Sequence, residues 1–225
     1  DLSDLALQDT VDAALAIAKV TAPDPSAVLA SNDQIIRDVP DLQLDHPWEI
    51  STEQAIDLAI EVEAAGRDED PRITNSEGGS VSSTRGVSIH ATSEGLMVSQ
   101  PTSMHGMSCM LLAEDGESRE RSYAYTQSRR SDQLMPPEAV GREAAQKTIA
   151  RLNPRKCQTA ETPVLFIPET ASGLLSSFAS AIGGVALYRK SSYLLDRLGT
   201  QVFPQWVTLE ENPLLPCAIG SSAYD

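Results

Sequence analysis

Aromatic side chains make up only 4% of this 225-residue chain, and long apolar runs are missing. The uncharged stretch at residues 170–188 carries too many serines and a Gly183-Gly184 break to span a bilayer as one helix, so no membrane partner is expected. Cysteine is scarce too: Cys109, Cys157 and Cys217 are far apart, odd in number and without a CxxC pair. That pattern excludes a disulfide framework and a zinc knuckle, and it fits reduced, cytoplasmic thiols. Basic residues are in short supply, 17 Lys and Arg against 32 Asp and Glu, for a net charge of −15. Such a balance repels phosphate backbones and anionic lipid, so no nucleic acid partner is expected. No signal or transit segment is expected from the opening residues of the chain. It does not begin with Met, and it stops at Tyr224-Asp225 just after a Gly-Ser-Ser turn, so a piece of a longer protein is expected.

Catalytic motifs are absent as well. The nearest look-alike of a nucleophile elbow, Gly78-Gly79-Ser80-Val81-Ser82, lacks the last glycine, which leaves a serine hydrolase unsupported. Gly183-Gly184, with Arg189 and Lys190 behind it, ends a predicted helix, whereas a phosphate cradle opens one. Asp24, Asp38, Asp41 and Asp45 lack the order of a calcium loop and read as solvated loop. His105 and Cys109 fall on one side of a predicted strand, but residues four apart there are about 13 Å from each other, too far for one zinc ion. His46 and His90 have no partner at motif spacing. From the residues alone no catalytic centre can be named.

What the chain does have is a readable set of helix and strand signals, centred on residues 163–190. Residues 164–167 are apolar and precede Pro168, which reads as a short buried strand. A helix follows, with Thr170 as N-cap, Glu169 near its positive end and Gly183-Gly184 as its stop. Leu174, Leu175, Phe178, Ile182 and Val185 share one face, and burial in the core is expected for it. Ser172, Ser176, Ser180 and Gly184 recur every fourth residue on another face, a smooth groove that another backbone can approach closely.

Elsewhere, Ser3 caps a helix with apolar positions Leu7, Val11, Leu15 and Ala18, and a proline-rich connector on the surface runs over residues 22–47. Ser51 and Gln54 form a capping box for a second helix whose apolar face is Ala55, Ile56, Ala59, Ile60 and Val62. Gly78-Gly79 is a predicted turn. Alternating apolar residues between 81 and 126, with turns at 93–95 and 114–117, predict an antiparallel meander of about four strands. Pro136-Pro137-Glu138 opens a third helix with Val140, Ala144 and Thr148 facing inward. A short helix over 193–199 and a strand over 202–209 complete the reading. The fold class is thus α+β, an antiparallel sheet meander packed with helices. Residues 1–160 form one domain with its first part missing, and 161–225 begin a second, truncated domain with a buried strand and helix.

Several segments in order carry a family resemblance: Ala14-Leu-Ala-Ile-Ala-Lys-Val-Thr-Ala-Pro-Asp-Pro25, Arg72-Ile-Thr-Asn-Ser-Glu-Gly-Gly-Ser80, Tyr123-Ala-Tyr125, Pro163-Val-Leu-Phe166, Tyr188-Arg-Lys-Ser-Ser-Tyr-Leu-Leu-Asp196 with Leu198-Gly199, and Gly220-Ser221 with Tyr224-Asp225. Together they resemble the TldD/PmbA family, in its PmbA (TldE) branch, once named for modulation of gyrase. The resemblance implies a cytoplasmic heterodimeric metalloprotease. A TldD-type chain supplies zinc from a His-Glu-x-x-x-His helix, and the PmbA-type chain pairs with it to mature a microcin or degrade an antitoxin. Family members are longer, so any downstream cysteine ligand would lie outside this chain.

The departure from the family pattern concerns the zinc helix. Gly173, Leu174 and Leu175 match its lead-in, but Ser176 and Ser177 follow, and Ala181 stands where the second histidine falls. Hydroxyls and a methyl supply neither zinc ligands nor a general base. The resemblance therefore implies no cofactor bound by this chain, with zinc in the partner subunit. Extended peptides are the implied substrates, and Ser172, Ser176, Ser180, Tyr188, Arg189 and Lys190 are the candidate contacts to substrate or partner. The alternative is a self-associating peptide-binding scaffold, homodimeric when isolated and without proteolytic activity.

Overall fold

The computed structural model describes residues 3–25, 27–31, 33–36 and 38–223. Tyr224 and Asp225, which contribute to the family resemblance, lie outside the described residues. Helix α1 (Asp4–Val20) forms as its signals require: Ser3 Oγ accepts from the Ala6 N–H at 3.3 Å, Asp4 lies in the first turn and Lys19 in the last. None of its side chains is buried. The connector is irregular, as expected, but it does not stay on the surface throughout. Leu42 and Leu44 are buried with Ala223, and their carbonyls accept hydrogen bonds from neighbouring segments. The N–H of Ser103 donates to Leu44 O at 2.9 Å and that of Cys217 to Leu42 O at 2.8 Å.

Both halves of the capping box at the start of α2 (Thr52–Arg67) are made: the Gln54 N–H donates to Ser51 Oγ, and the Ser51 N–H to Gln54 Oε1. Its buried residues are Val62 and Gly66, while Ile56 and Ile60 point to solvent. Small residues form the inner face because the sheet comes very near: a Cβ on Gly79 would collide with the Ala59 carbonyl oxygen.

Three strands make the sheet, β1 (Ile73–Ala91), β2 (Met97–Asp115) and β3 (Ser118–Ser128), antiparallel in the order β1-β2-β3. The expected meander is present with one strand fewer, because 96–98 and 107–113 belong largely to one long strand that runs through Pro101 and Gly106. Pro101 is tolerated since β3 reaches only as far as His105, so this end of β2 pairs on the β1 side alone among the strands. The two connecting turns fall where predicted, with Gly95 and Gly116 at positive φ. Gly78-Gly79 is not a turn. β1 runs straight through, with a register shift between Ser76 and Gly78 where Gly78 takes φ +106°, a bulge that a side chain would strain.

Alternation along β2 turns Ser103, His105, Met107, Cys109, Leu111 and Ala113 inward, joined by Ala124, Thr126 and Ser128 of β3. Onto this face pack α2 and α3 (Pro137–Ile149), the latter begun by proline as predicted and burying Val140, Gly141, Ala144, Ala145 and Thr148. The two helices meet at Gly66 and Gly141, with Leu111 beneath them. Tyr123 and Tyr125 stack on the opposite, open face.

Between α2 and β1, Arg72 grips Asp70 through two side-chain hydrogen bonds, Nε to Oδ1 at 2.9 Å and Nη2 to Oδ2 at 2.8 Å, and through its backbone N–H. The Arg72 side chain, then its N–H, lower the Asp70 carboxyl to about 2. The folded value lies below the unfolded one, so the contribution of this pair is whole above about pH 4 and fades as the pH falls through the folded value. An acid titration followed by carboxyl-carbon NMR is expected to find Asp70 still charged at about pH 3, and Arg72→Ala, which keeps the backbone N–H bond, is expected to raise it part of the way toward the ordinary aspartate range.

Candidate functional site

The segment singled out from sequence departs from expectation at its start. Residues 164–167 pair with no strand among the described residues, and Val164, Leu165 and Ile167 are exposed. A strand exists only through a neighbour to bond with, and apolar β-branched residues do not supply one. Helix α4 (Pro168–Ile182) begins one turn early, with Pro168 in the first position. Thr170 is therefore not the N-cap but lies inside the first turn, where its N–H and that of Ala171 donate to Ile167 O at 3.0 and 2.8 Å. Glu169 sits in the first turn as predicted and accepts from Lys147 Nζ at 2.7 Å; Lys147 also binds Glu143 at 2.7 Å. The hydrogen bonds it donates to Glu143 and then to Glu169 raise the Lys147 ammonium above its ordinary value, and the second of them fastens α4 to α3. Gly183 ends α4, and Gly184 opens the short helix α5 (Gly184–Tyr188).

Burial of this helix was expected, and the structure corrects that. Only Ala181 is buried, while Leu174, Leu175, Ile182 and Val185 are each about half exposed or more. Apolar periodicity tells which residues share a face and nothing about whether another element covers it. Phe178 and Ile182 line an open hollow of about 520 Å³ with Leu187, Leu194, Leu195 and Val202, and Phe178 meets Phe203 edge-on at 5.0 Å. The short helix predicted over 193–199 is a pair of turns, and 202–209 is irregular with Trp206 84% exposed.

Ser172, Ser176 and Ser180 lie along α4 and are exposed; Ser172 Oγ donates to Glu169 O at 2.7 Å. Tyr188, Arg189 and Lys190 lie beyond the Gly183 break at the end of α5, also exposed. Ser176 and Ser177 are exposed, and the Ala181 carbonyl accepts from Ser192 Oγ at 2.6 Å. This donor set does not fit a zinc ion, which takes imidazole, thiolate or carboxylate. Among the described residues, no three His, Cys, Asp or Glu side chains come close enough together to hold a metal ion.

His105 is 1% exposed and satisfied on both ring nitrogens. Its Nε2 lies 2.8 Å from His46 O, which can only accept, so Nε2 donates and Nδ1 accepts from Ser83 Oγ at 3.0 Å. Trp48 packs edge-on to the ring at 5.5 Å. This is a structural histidine, as its lack of motif partners indicated. Two groupings had no signal in the sequence. Cys217 meets His46, 171 residues away, at 3.4 Å from Sγ to Nε2. Arg129, 6% exposed, donates to the carbonyls of Ala218, Ile219 and Ser103 at 2.9, 2.8 and 3.3 Å. Both lie where residues 217–223 meet the connector and the strand ends.

Among the described residues no helix is long and apolar enough to cross a membrane. Comparison with known proteins places the chain clearly. Residues 45–152 match the PmbA/TldA metallopeptidase central domain and 159–225 the C-terminal domain of the same family. The chain is 44% identical over its whole length to the metalloprotease PmbA of Escherichia coli O157:H7 and 43% identical to a PmbA homologue of Haemophilus influenzae, and it spans about half the length of each. A solved structure described as a modulator of DNA gyrase from Bacteroides thetaiotaomicron shares the fold with TM-score 0.91 at 24% identity, over 100% of this chain and 52% of that one. TldE from Thermococcus kodakarensis aligns at TM-score 0.59 and 18% identity, over 86% and 43%. The helix-covered three-stranded sheet and the segment that follows it are those of the PmbA/TldA metallopeptidase family, to which this chain belongs.

Proposed function

We propose that this chain is part of the non-catalytic, PmbA-type subunit of a two-chain cytoplasmic zinc peptidase. What carries the reading is the sequence of α4: by the family resemblance, Ser176, Ser177 and Ala181 fall at the positions of a TldD-type helix's ligands and base. The names of the relatives, metalloprotease PmbA and TldE, support a component of such a peptidase. Zinc and the hydrolytic water belong to the partner. This chain contributes surface: the row of Ser172, Ser176 and Ser180, whose small side chains let an extended peptide approach, and the apolar hollow beside Phe178 and Ile182. Tyr188, Arg189 and Lys190 are contacts to substrate or partner at the end of α5. DNA is not a partner of so acidic a chain.

A second reading, a self-associating peptide-binding scaffold, draws on the apolar residues left uncovered on α1 and α4. Purification of the full-length protein alone and co-expressed with a TldD-type chain separates the two. The expected result is a one-to-one complex holding zinc in proportion to the TldD-type chain, no zinc with the lone subunit, and peptide cleavage only when both are present. A lone subunit that holds stoichiometric zinc and cuts peptides would end the first reading; a stable homodimer that ignores the TldD-type chain would favour the second.

A further inference from the structure

Outside the site just described, one thiol is paired with an imidazole. Cys217 Sγ lies 3.4 Å from His46 Nε2 and as a thiol donates to Gln43 O at 3.3 Å, with Gln43 Oε1 at 3.9 Å, and His46 Nε2 is 2.8 Å from the same backbone carbonyl. A carbonyl only accepts, so Nε2 carries the hydrogen and has two acceptors in reach, the oxygen and the sulfur. The backbone holds this arrangement from both sides. Gln43 and Cys217 have φ of +51° and +57°, and the Cys217 N–H is bonded to Leu42 O. Nearby, Asp132 pairs with Arg130 at 2.7 Å and Asp45 with Arg85 at 2.6 Å. The other two thiols differ. Cys157 is exposed, and Cys109 is buried, with desolvation pushing it up to about 11. Cys217 alone is partly exposed with an imidazole N–H beside its sulfur.

We propose that Cys217 is an oxidation site that reacts with small hydroperoxides, and that His46 positions and steadies the reacting sulfur. A sulfur electron pair attacks one peroxide oxygen, forming the S–O bond as the O–O bond breaks. Sulfur is oxidised by two electrons to sulfenic acid and the peroxide is reduced by two. The thiol proton passes through solvent to the departing oxygen, which leaves as water when the oxidant is hydrogen peroxide. While negative charge rests on sulfur, the His46 Nε2 hydrogen turns to it from Gln43 O. The new oxygen has to fit where Sγ packs against the connector, so the modification bears on the contact between residues 217–223 and residues 42–46.

The test treats the full-length protein with hydrogen peroxide, traps sulfenic acid with dimedone and follows each cysteine by peptide mass spectrometry. In the folded protein, Cys217 is expected to be labelled roughly tenfold faster than Cys157, about the worth of one hydrogen bond to a charged group, with Cys109 unlabelled. In denaturant the difference between Cys217 and Cys157 is expected to vanish, a comparison that needs no variant. His46→Leu, checked for an unchanged melting curve, is expected to bring Cys217 down to the rate of Cys157. Equal rates for Cys217 and Cys157 in the folded wild type, or a fast Cys217 in folded His46→Leu, overturn the proposal.

Discussion

Gly141→Ala is expected to lower stability by about 2 kcal/mol net, although alanine is the better helix former. Two effects oppose each other here. Alanine gains about 1 kcal/mol of helix propensity over glycine in the middle of α3. Its Cβ, however, would collide with the Val62 carbonyl oxygen and stand 2.8 Å from the Gly66 nitrogen and 3.1 Å from Ala65 Cβ, in a contact made of backbone that cannot rotate away. Separating α2 from α3 opens the core above Leu111, and overpacking of this kind costs about 1–3 kcal/mol and sometimes more. Urea denaturation of the full-length protein measures the balance. A midpoint that stays or rises means that propensity wins and that the helices have room to part.

Leu111→Ala is the larger loss, about 3–4 kcal/mol. Leu111 has no exposed surface, lies at the centre of the inward face of β2, and reaches up to Gly66, where a Cβ would stand 2.7 Å from its Cδ1. The helices above are held by their own backbone contact and cannot sink to fill the gap, so most of the cavity persists. Ile60→Ala serves as its control, because Ile60 is 59% exposed on the outer side of α2 and its loss is expected to cost well under 1 kcal/mol. Equal costs for the two would mean that the core does not lie where the alternation of β2 puts it.

Much of this fold was legible because its signals are local. The Ser51–Gln54 box, the proline start of α3 and the two glycine turns are each decided within a few residues, and each forms as read. Strand number was harder to read, since Pro101 looks like a break until it is known that β3 pairs with β2 only from His105 onward. Gly78-Gly79 reads as a turn for the same reason: a bulge and a helix pressed against the strand use the same residue as a reversal does. The α4 region was legible in its period and illegible in its burial, which depends on what lies across from Leu174 and Leu175. At the candidate site, the serines and Ala181 could be aligned with a ligand motif because they share one helix. Nothing in the sequence could join Cys217 to His46, which meet only through tertiary structure.

The grip of Arg129 on the carbonyls of Ala218 and Ile219 has a consequence for how this surface tolerates change. Every amino acid offers the same carbonyl, so the guanidinium recognises the path of the chain there and is blind to its lettering. Mutational drift at positions 218 and 219 can accumulate without loosening the anchor, whereas the single arginine that holds them has no spare.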